Sequence, residues 1–134
     1  MTSRRGTLVE EGARELLQVC GYAVRIVPSG YHKRYPPAHL VATRPSGGTR
    51  FIRVRKISHR TLSAGTVAEI YSHDIARFRR YLSLHPGCSG LRCELWVYSL
   101  TCGFRCFEIL PDSIREIRKP SPGDVKNPGT GGTA

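Results

Sequence analysis

The residues best suited to chemistry form a basic, alternating stretch in the middle of the chain. The segment FIRVRKI places Arg53 and Arg55 two positions apart, and Lys56 follows them directly. Side chains at i and i+2 of a strand share one face, so the two guanidiniums would lie side by side. A guanidinium stays charged and binds phosphate through paired hydrogen bonds. The stretch therefore predicts phosphate binding, and the alternative is a half-exposed strand whose arginines only face solvent.

The charge of the whole chain favours the same kind of partner. Its 134 residues carry 21 Lys and Arg against 10 Asp and Glu, which gives a formal charge of +11. No acid occurs from residue 16 to residue 68, whereas that span holds nine basic residues. One sign of charge over so much chain predicts a surface for a polyanion such as DNA, RNA or an anionic membrane. The predicted contact residues are Lys33, Arg34, Arg44, Arg50, Arg53, Arg55 and Lys56.

The hydrophobic pattern predicts an α/β domain that would position these residues. Apolar spacing predicts two helices, over about residues 8–20 and 67–84, with Gly21 ending the first and Thr66 and Glu69 capping the second. Strands are expected at 22–30, 39–44, 50–58, 92–100 and 103–110, with a short last helix over 111–119. The order α-β-β-β-α-β-β predicts a mixed sheet with a helix on each face. Residues 1–119 form one predicted domain, and the Pro/Gly-rich residues 120–134 a disordered tail.

Other features of the sequence narrow the class of protein. There is no apolar run of about 18 residues, and the first residues lack the apolar stretch of a secretory signal, so we expect a cytoplasmic protein without a membrane partner. Five cysteines are an odd number and favour reduced thiols. Cys88, Cys93, Cys102 and Cys106 are spaced more widely than the usual zinc knuckles, so no metal site is predicted from them.

The first part of the chain resembles a known family of nucleases. The stretch GTLVEEGARELLQVCGYAVRIVPSG, followed by the predicted hairpin and second helix, is similar to the archaeal Holliday-junction resolvases, which have the restriction-endonuclease-like, PD-(D/E)XK fold. The resemblance covers about residues 6–110. It implies a restriction-endonuclease-like sheet, a DNA partner and dimerisation. The matching positions are Gly6, Glu10, Gly21, Tyr22, Ser29 and Gly30.

The residues that carry catalysis in that family are replaced in this chain. The family has an Asp that opens the second strand and a Glu-x-Lys on the third, which hold a divalent metal and orient water. These positions fall here on His39, Arg53 and Arg55, no register of the hairpin supplies an acid, and Glu10 alone keeps the family's residue. Mg²⁺ needs carboxylate oxygens, and Arg cannot serve as a general base. The expectation is a nucleic-acid-binding protein with an inactive nuclease site and no cofactor.

Two alternatives stay open from the sequence. One is a divergent endonuclease that holds Mg²⁺ or Mn²⁺ on Glu10, Glu11 and a histidine. The other is a non-catalytic subunit that pairs with itself or with an active partner, because the resemblance implies a homodimer or a heterodimer. His73 and Asp74 show no convincing partner in the sequence, and they enter neither alternative.

Overall fold

A six-stranded mixed sheet carries helices on both of its faces. The computed structural model describes residues 4–27, 38–45, 48–57, 63–85 and 90–122. The elements are, in chain order, α1 Arg4–Val19, β1 Ala23–Ile26, β2 Leu40–Thr43, β3 Thr49–Lys56, α2 Ala64–Ile70, α3 Ser72–Leu84, β4 Leu91–Ser99, β5 Gly103–Ile109 and β6 Ile114–Ile117. The predicted α/β class, the β2–β3 hairpin and the β4–β5 hairpin are confirmed.

The strands follow one another across the sheet in sequence order, from β1 to β6. All neighbours are antiparallel except β3 and β4, which run parallel from the pair Thr49 and Leu91 to the pair Lys56 and Tyr98. Parallel neighbours need a crossover connection, and α2 and α3 lie in it. The sheet is therefore two three-stranded antiparallel units joined by one parallel seam.

Alternation along β3 divides the core between the two faces of the sheet. Ile52 and Val54 face α1, in a cluster that includes Leu17 and Trp96. Phe51 faces α2 and α3, in a second cluster around Phe78. Full burial of such an apolar side chain contributes about 1.5–3 kcal/mol. Both faces of β3 are thus used for packing, as the prediction of one helix on each face requires.

The end of α1 fixes the position of an aromatic residue. Gly21 has a φ of 92°, a conformation that favours glycine. Its N–H donates to the carbonyl of Gln18, and the N–H of Tyr22 donates to the carbonyl of Leu17. This pair of bonds is a Schellman motif, which satisfies the last carbonyls of the helix. The predicted stop at Gly21 is confirmed, and it sets Tyr22 at the start of β1.

The boundaries of both predicted helices differ from the sequence expectation. The first begins at Arg4 instead of residue 8. The second is interrupted at Tyr71, whose φ of −109° and ψ of 30° are not helical, and so forms two helices. Its N-cap is Ser63, whose hydroxyl accepts the N–H of Thr66, so the predicted cap at Thr66 and Glu69 is wrong. A cap three residues earlier lengthens the helix by its first turn.

The predicted last helix is wrong, because the segment forms strand β6. Ile114 and Ile117 are three positions apart, a spacing that suits a helix, yet they pair with Ile109 and Cys106 of β5. Cross-strand ion pairs between β5 and β6 accompany this pairing. Tertiary pairing at a sheet edge overrides weak local preference.

Several sequence predictions lie partly outside the described residues. Of the predicted tail, Pro120 is buried, and residues 123–134 lie outside the described part, so the domain boundary stays a prediction. The end of the first predicted strand, residues 28–30, and the loop after it are also outside. No helix among the described residues is long and apolar enough to cross a membrane.

Candidate functional site

The end of β3 is an open strand edge. β2 pairs with β3 only as far as Leu40 and Ile52, whereas β3 continues to Lys56. The outer edge of β3 beyond Ile52 therefore has no strand partner among the described residues. An open edge exposes backbone donors and acceptors that other groups must satisfy. Side chains from both faces of the sheet converge at this place.

His39 covers part of the open edge. Its backbone N–H donates to the carbonyl of Ile52 at 2.8 Å, and its Nδ1 accepts the N–H of Val54 at 2.9 Å. A nitrogen that accepts a backbone N–H carries no proton, so the ring proton of a neutral His39 sits on Nε2. Protonation of the ring would place two donors face to face at Nδ1. In this arrangement His39 is therefore neutral, and its Nδ1 supplies the hydrogen-bond acceptor that the open edge of β3 needs at Val54.

Glu10 approaches the same edge from α1. Its Oε2 lies 3.6 Å from Nε2 of His39, and a quarter of its side chain is exposed. Burial raises the pKa of Glu10 above its ordinary value, and the nearby charge of Arg53 opposes that rise. Glu10, which matches the family pattern, thus lies near His39 and Arg53, two of the three positions at which the pattern is broken.

Asp74 approaches from α3 and binds both arginines of the basic stretch. Arg55 donates from Nε and Nη2 to the two oxygens of Asp74, at 2.7 and 2.8 Å. Nε of Arg53 lies 3.4 Å from Oδ1 of Asp74. The expectation that Asp74 has no partner is wrong. We name these three residues the Asp74 cluster.

The electrostatics of the Asp74 cluster follow from two cations and one anion in a buried place. Burial opposes ionisation of Asp74, but the hydrogen bonds and charge of Arg55, with Arg53, lower its pKa below the ordinary value. Burial, together with the charge of Arg55, lowers the pKa of Arg53, and the charge of Asp74 opposes this. The pKa of Arg55 is raised by its bond to Asp74. Asp74 therefore stays ionised and holds both guanidiniums in place.

These residues do not fit a divalent cation of the nuclease type. Mg²⁺ takes six oxygen ligands, usually including one or two carboxylates. Here Asp74 is already bound by Arg55, and the guanidinium of Arg53 lies near both Asp74 and Glu10. No group of three or more His, Cys, Asp or Glu side chains in the described ranges could hold a metal ion. A cation at this edge would have to displace two arginines.

The buried cysteines are poor nucleophiles and poor ligands. Burial raises the pKa of Cys93 to about 12 and raises that of Cys106 as well. A thiol must lose its proton to attack or to bind zinc. Cys93 and Cys106 pack as small apolar residues, as their positions in strands predict.

Arg50, five residues before Arg55 on β3 and on the opposite face of the sheet, belongs to a different cluster. It lies on the α1 face and donates from Nε and Nη2 to the two oxygens of Glu94, at 2.7 and 3.0 Å. Trp96 Nε1 also donates to Glu94, and Arg50 Nη1 donates to the hydroxyl of Tyr22. We name these four residues the Glu94 cluster. Arg50 is thus a buried residue with three internal hydrogen bonds, although the sequence predicts it as a nucleic-acid contact.

The other predicted contact residues divide between the two ends of β3. Lys56 is exposed at the same end of β3 as Arg55, on the opposite face of the strand, whereas Arg44 lies near Tyr22 at the other end. Lys33 and Arg34 lie outside the described residues. The structure therefore brings together Glu10, His39, Arg53 and Arg55, and it separates Arg44 and Arg50 from them. Their predicted binding of nucleic acid stays a prediction.

Asp74 is the residue that sequence reasoning missed. It occupies the buried stripe of the second predicted helix, four residues before Phe78 and three after Tyr71. An acid in a buried stripe needs a partner, because an unpaired buried charge is costly. The helical periodicity is therefore the sequence signal that Asp74 is buried. Arg53 and Arg55 on strand β3 are cations that could pair with it.

Comparison with known proteins supports the fold. No protein-family profile matches the chain, and no curated protein is similar to it in sequence. Among solved structures, the chain is similar to Hjc, a Holliday junction resolvase from the archaeal hyperthermophile Archaeoglobus fulgidus. The TM-score is 0.51 and the identity 18%, and the match covers 84% of this chain and 88% of that chain. The chain therefore has a resolvase-like nuclease fold.

Proposed function

We propose that this chain is a nucleic-acid-binding protein that uses a resolvase-like fold without cleaving its ligand. The observation that carries the proposal is the Asp74 cluster, in which Arg53 stands at the position of the metal-binding Glu of the resembling nucleases and Arg55 at that of their Lys. The similar solved structure is a Holliday junction resolvase, so a branched DNA is the first ligand to test. The surplus of positive charge favours a polyanion.

Arg55 is the best placed residue to bind a phosphate at this edge. Its Nε and Nη2 are held by Asp74, and about a third of its side chain is exposed. No described residue accepts a hydrogen bond from its Nη1. A guanidinium that is already oriented loses little freedom when it binds a second oxyanion. Exposed Lys56 adds a further cation at the same end of β3, on the other face of the strand.

Arg53 has a different role in this proposal. It is 8% exposed and lies between the carboxylates of Glu10 and Asp74. A fixed guanidinium there supplies positive charge where the resembling enzymes place a metal ion. It cannot activate water, because Arg does not lose its proton in the working pH range. Binding without hydrolysis is the expected result.

The test is a labelled four-way DNA junction incubated with the full chain in Mg²⁺ and then in Mn²⁺. Native and denaturing gels are run from the same tubes. We expect a retarded complex with intact strands, and an affinity that falls about 10³-fold or more between 50 and 200 mM salt if six or more phosphates are contacted. Absence of a complex, or an affinity insensitive to salt, would contradict the proposal.

Matched variants locate the contact. Lys56→Ala and Arg55→Lys should weaken binding, and Lys56→Ala should lower the salt slope by about one. Arg115→Ala on edge strand β6 is the control, since its side chain is also exposed and is remote from β3. Equal weakening by the control would show that only net charge matters.

Cleavage is the outcome that would favour the divergent endonuclease. Nicked strands that disappear in Glu10→Ala would mean that metal binds despite the Asp74 cluster, and would contradict the inactive site. The homodimer or heterodimer implied by the resemblance stays a prediction. Light scattering at high protein concentration tests self-pairing.

A further inference from the structure

A cationic pocket lies at the opposite end of β3 from the Asp74 cluster. It has a volume of about 230 Å³, and its lining includes Tyr22 and four arginines, Arg44, Arg50, Arg92 and Arg118. None of the residues of the Asp74 cluster lines it. Arg50 and Arg55 are separated by about 16 Å along the strand, from a rise of about 3.3 Å per residue. The pocket is therefore a separate place on the molecule.

Tyr22 organises one wall of the pocket. The guanidinium of Arg44 lies 4.8 Å from the centre of its ring, and that of Arg50 lies 5.3 Å from it. The hydroxyl of Tyr22 accepts a bond from Arg50 at 3.0 Å. Glu94 fixes Arg50 from the other side with two further bonds. Two guanidiniums are thus held on a rigid support before any ligand arrives.

The pocket contains more guanidinium than carboxylate. Among the described residues, the acids in contact with these arginines are Glu94, which is bound by Arg50 and Trp96, and Glu108, which is bound by Arg115. Nε of Arg92 lies 3.6 Å from an oxygen of each acid, and this buried nitrogen has no hydrogen-bond acceptor among the described residues. A buried donor without an acceptor is costly. An oxyanion that reaches this nitrogen from the pocket would relieve that cost.

We propose that this pocket binds a phosphate monoester. The described lining holds four arginines and no acid, and a monoester carries about −1.5 to −2 at pH 7. A monoester also presents three terminal oxygens, which several guanidinium forks can share. The volume lies below the roughly 300–1,000 Å³ of pockets that enclose a drug-sized ligand. A single phosphate group fits this description better than a whole nucleotide does.

A backbone phosphodiester fits the pocket less well. It offers two free oxygens and one charge, and it is flanked by sugars on both sides. Such a group suits an open cationic surface such as the end of β3. The pocket inference goes beyond the proposed function and does not depend on it, because inorganic phosphate alone tests it.

The first experiment titrates inorganic phosphate into the full chain by calorimetry, at constant ionic strength maintained with chloride. We expect saturable binding at one site, weakened about tenfold or more in Arg44→Ala. Arg44→Lys should also weaken it, because Lys keeps the charge but lacks the planar fork. Arg118→Ala is a second variant of the lining. Arg25→Ala removes one exposed charge outside the pocket and should leave binding unchanged.

A second set of ligands identifies the source of the phosphate. A 5′-phosphorylated oligonucleotide is compared with its 5′-hydroxyl counterpart and with a mononucleotide. Preference for the phosphorylated strand, lost in Arg44→Ala, would assign the pocket to a strand end. Equal binding of the mononucleotide would assign it to a small phosphate ester. No saturable binding of phosphate, or an equal loss in Arg25→Ala, overturns the inference, whatever the junction experiment gives.

Discussion

The two ionic clusters of β3 differ in how each carboxylate neutralises its arginines. In the Glu94 cluster, one carboxylate forms a two-bond pair with Arg50 and also accepts the indole N–H of Trp96, all of it buried. In the Asp74 cluster, one carboxylate forms ion pairs with both Arg53 and Arg55, and Arg55 is partly exposed. The first is balanced internally, whereas the second keeps a surplus positive charge. In the second, Arg55 can therefore bind an oxyanion while it keeps its two bonds to Asp74.

The two clusters should also differ in how much the protein's stability depends on their acids. A buried pair contributes little when intact, because desolvation offsets the attraction, but removal of one partner leaves a buried charge. In the Asp74 cluster, Asp74 and Arg53 are buried but Arg55 is partly exposed, so loss of the acid leaves one of the two cations in contact with water and should cost less. The clusters should therefore respond very differently to loss of their acids.

The largest effect is expected for Glu94→Gln. This change leaves Arg50 buried without a carboxylate, and the free energy of unfolding should fall by about 3–5 kcal/mol. Urea denaturation measures it. The double variant Arg50→Met/Glu94→Leu is the control, and it should lose much less because no charge stays buried. A single-variant loss below about 1 kcal/mol would show that the pair is not effectively buried.

Asp74→Asn should cost less, about 1–3 kcal/mol at neutral pH. Because the pKa of Asp74 is lowered from 3.8 in the folded protein, its contribution is present above pH 3.8 and is lost as pH falls through the lower folded value. The stability difference between wild type and Asp74→Asn should therefore shrink in acid. Denaturation at several pH values from neutral to acid checks this, and a difference independent of pH would contradict it.

Glu10→Gln should give a smaller effect with the opposite pH dependence. The pKa of Glu10 is raised from 4.5 in the folded protein, so its stabilising contribution is present below pH 4.5 and is lost as pH rises through the folded value. Relative to the variant, the wild type should lose stability on going from pH 4 to pH 7. Thermal melting across that range measures the change. A relative gain for the wild type would mean that Glu10 is better paired than its burial indicates.

The smallest effect is expected at the exposed ion pair of Arg105 and Glu116. Arg105 donates two bonds to Glu116 across β5 and β6, and this bond lowers the pKa of Glu116. Solvent screens such a pair, so Arg105→Gln should cost only about 0.2–1 kcal/mol. A loss as large as that of Asp74→Asn would mean that the exposed pair of Arg105 and Glu116 contributes as much to stability as the Asp74 cluster does. Urea denaturation at neutral pH measures this loss in the free energy of unfolding.

Much of the fold follows from apolar patterning. The alternation of Ile52 and Val54, the helical stripe around Phe78 and the stop at Gly21 are local signals that agree with the final structure. The weak point was the segment from Ile114 to Ile117, which has too few apolar residues to decide between helix and strand. Its strand state depends on the neighbouring β5, which no local pattern reveals.

The candidate site was only partly predictable. The resemblance located Glu10, His39, Arg53 and Arg55 at one place, and the structure brings them to one strand edge. The partner Asp74 lies 19 residues from Arg55 along the chain, on another element. Such pairings depend on how helices pack on the sheet. Sequence periodicity shows that an acid is buried, but not which cation it meets.

The parallel seam between β3 and β4 has a consequence for the kinetics of folding. Thr49 and Leu91 are 42 positions apart in the chain, while every other pair of neighbouring strands is antiparallel. The two antiparallel units can form early from nearby residues, whereas the seam requires closure of a long interval. Arg50 and Glu94 lie on opposite sides of that seam, so their charges stay hydrated until it closes. We therefore expect docking of the two units to limit the folding rate, with the Glu94 cluster losing water in the same late step.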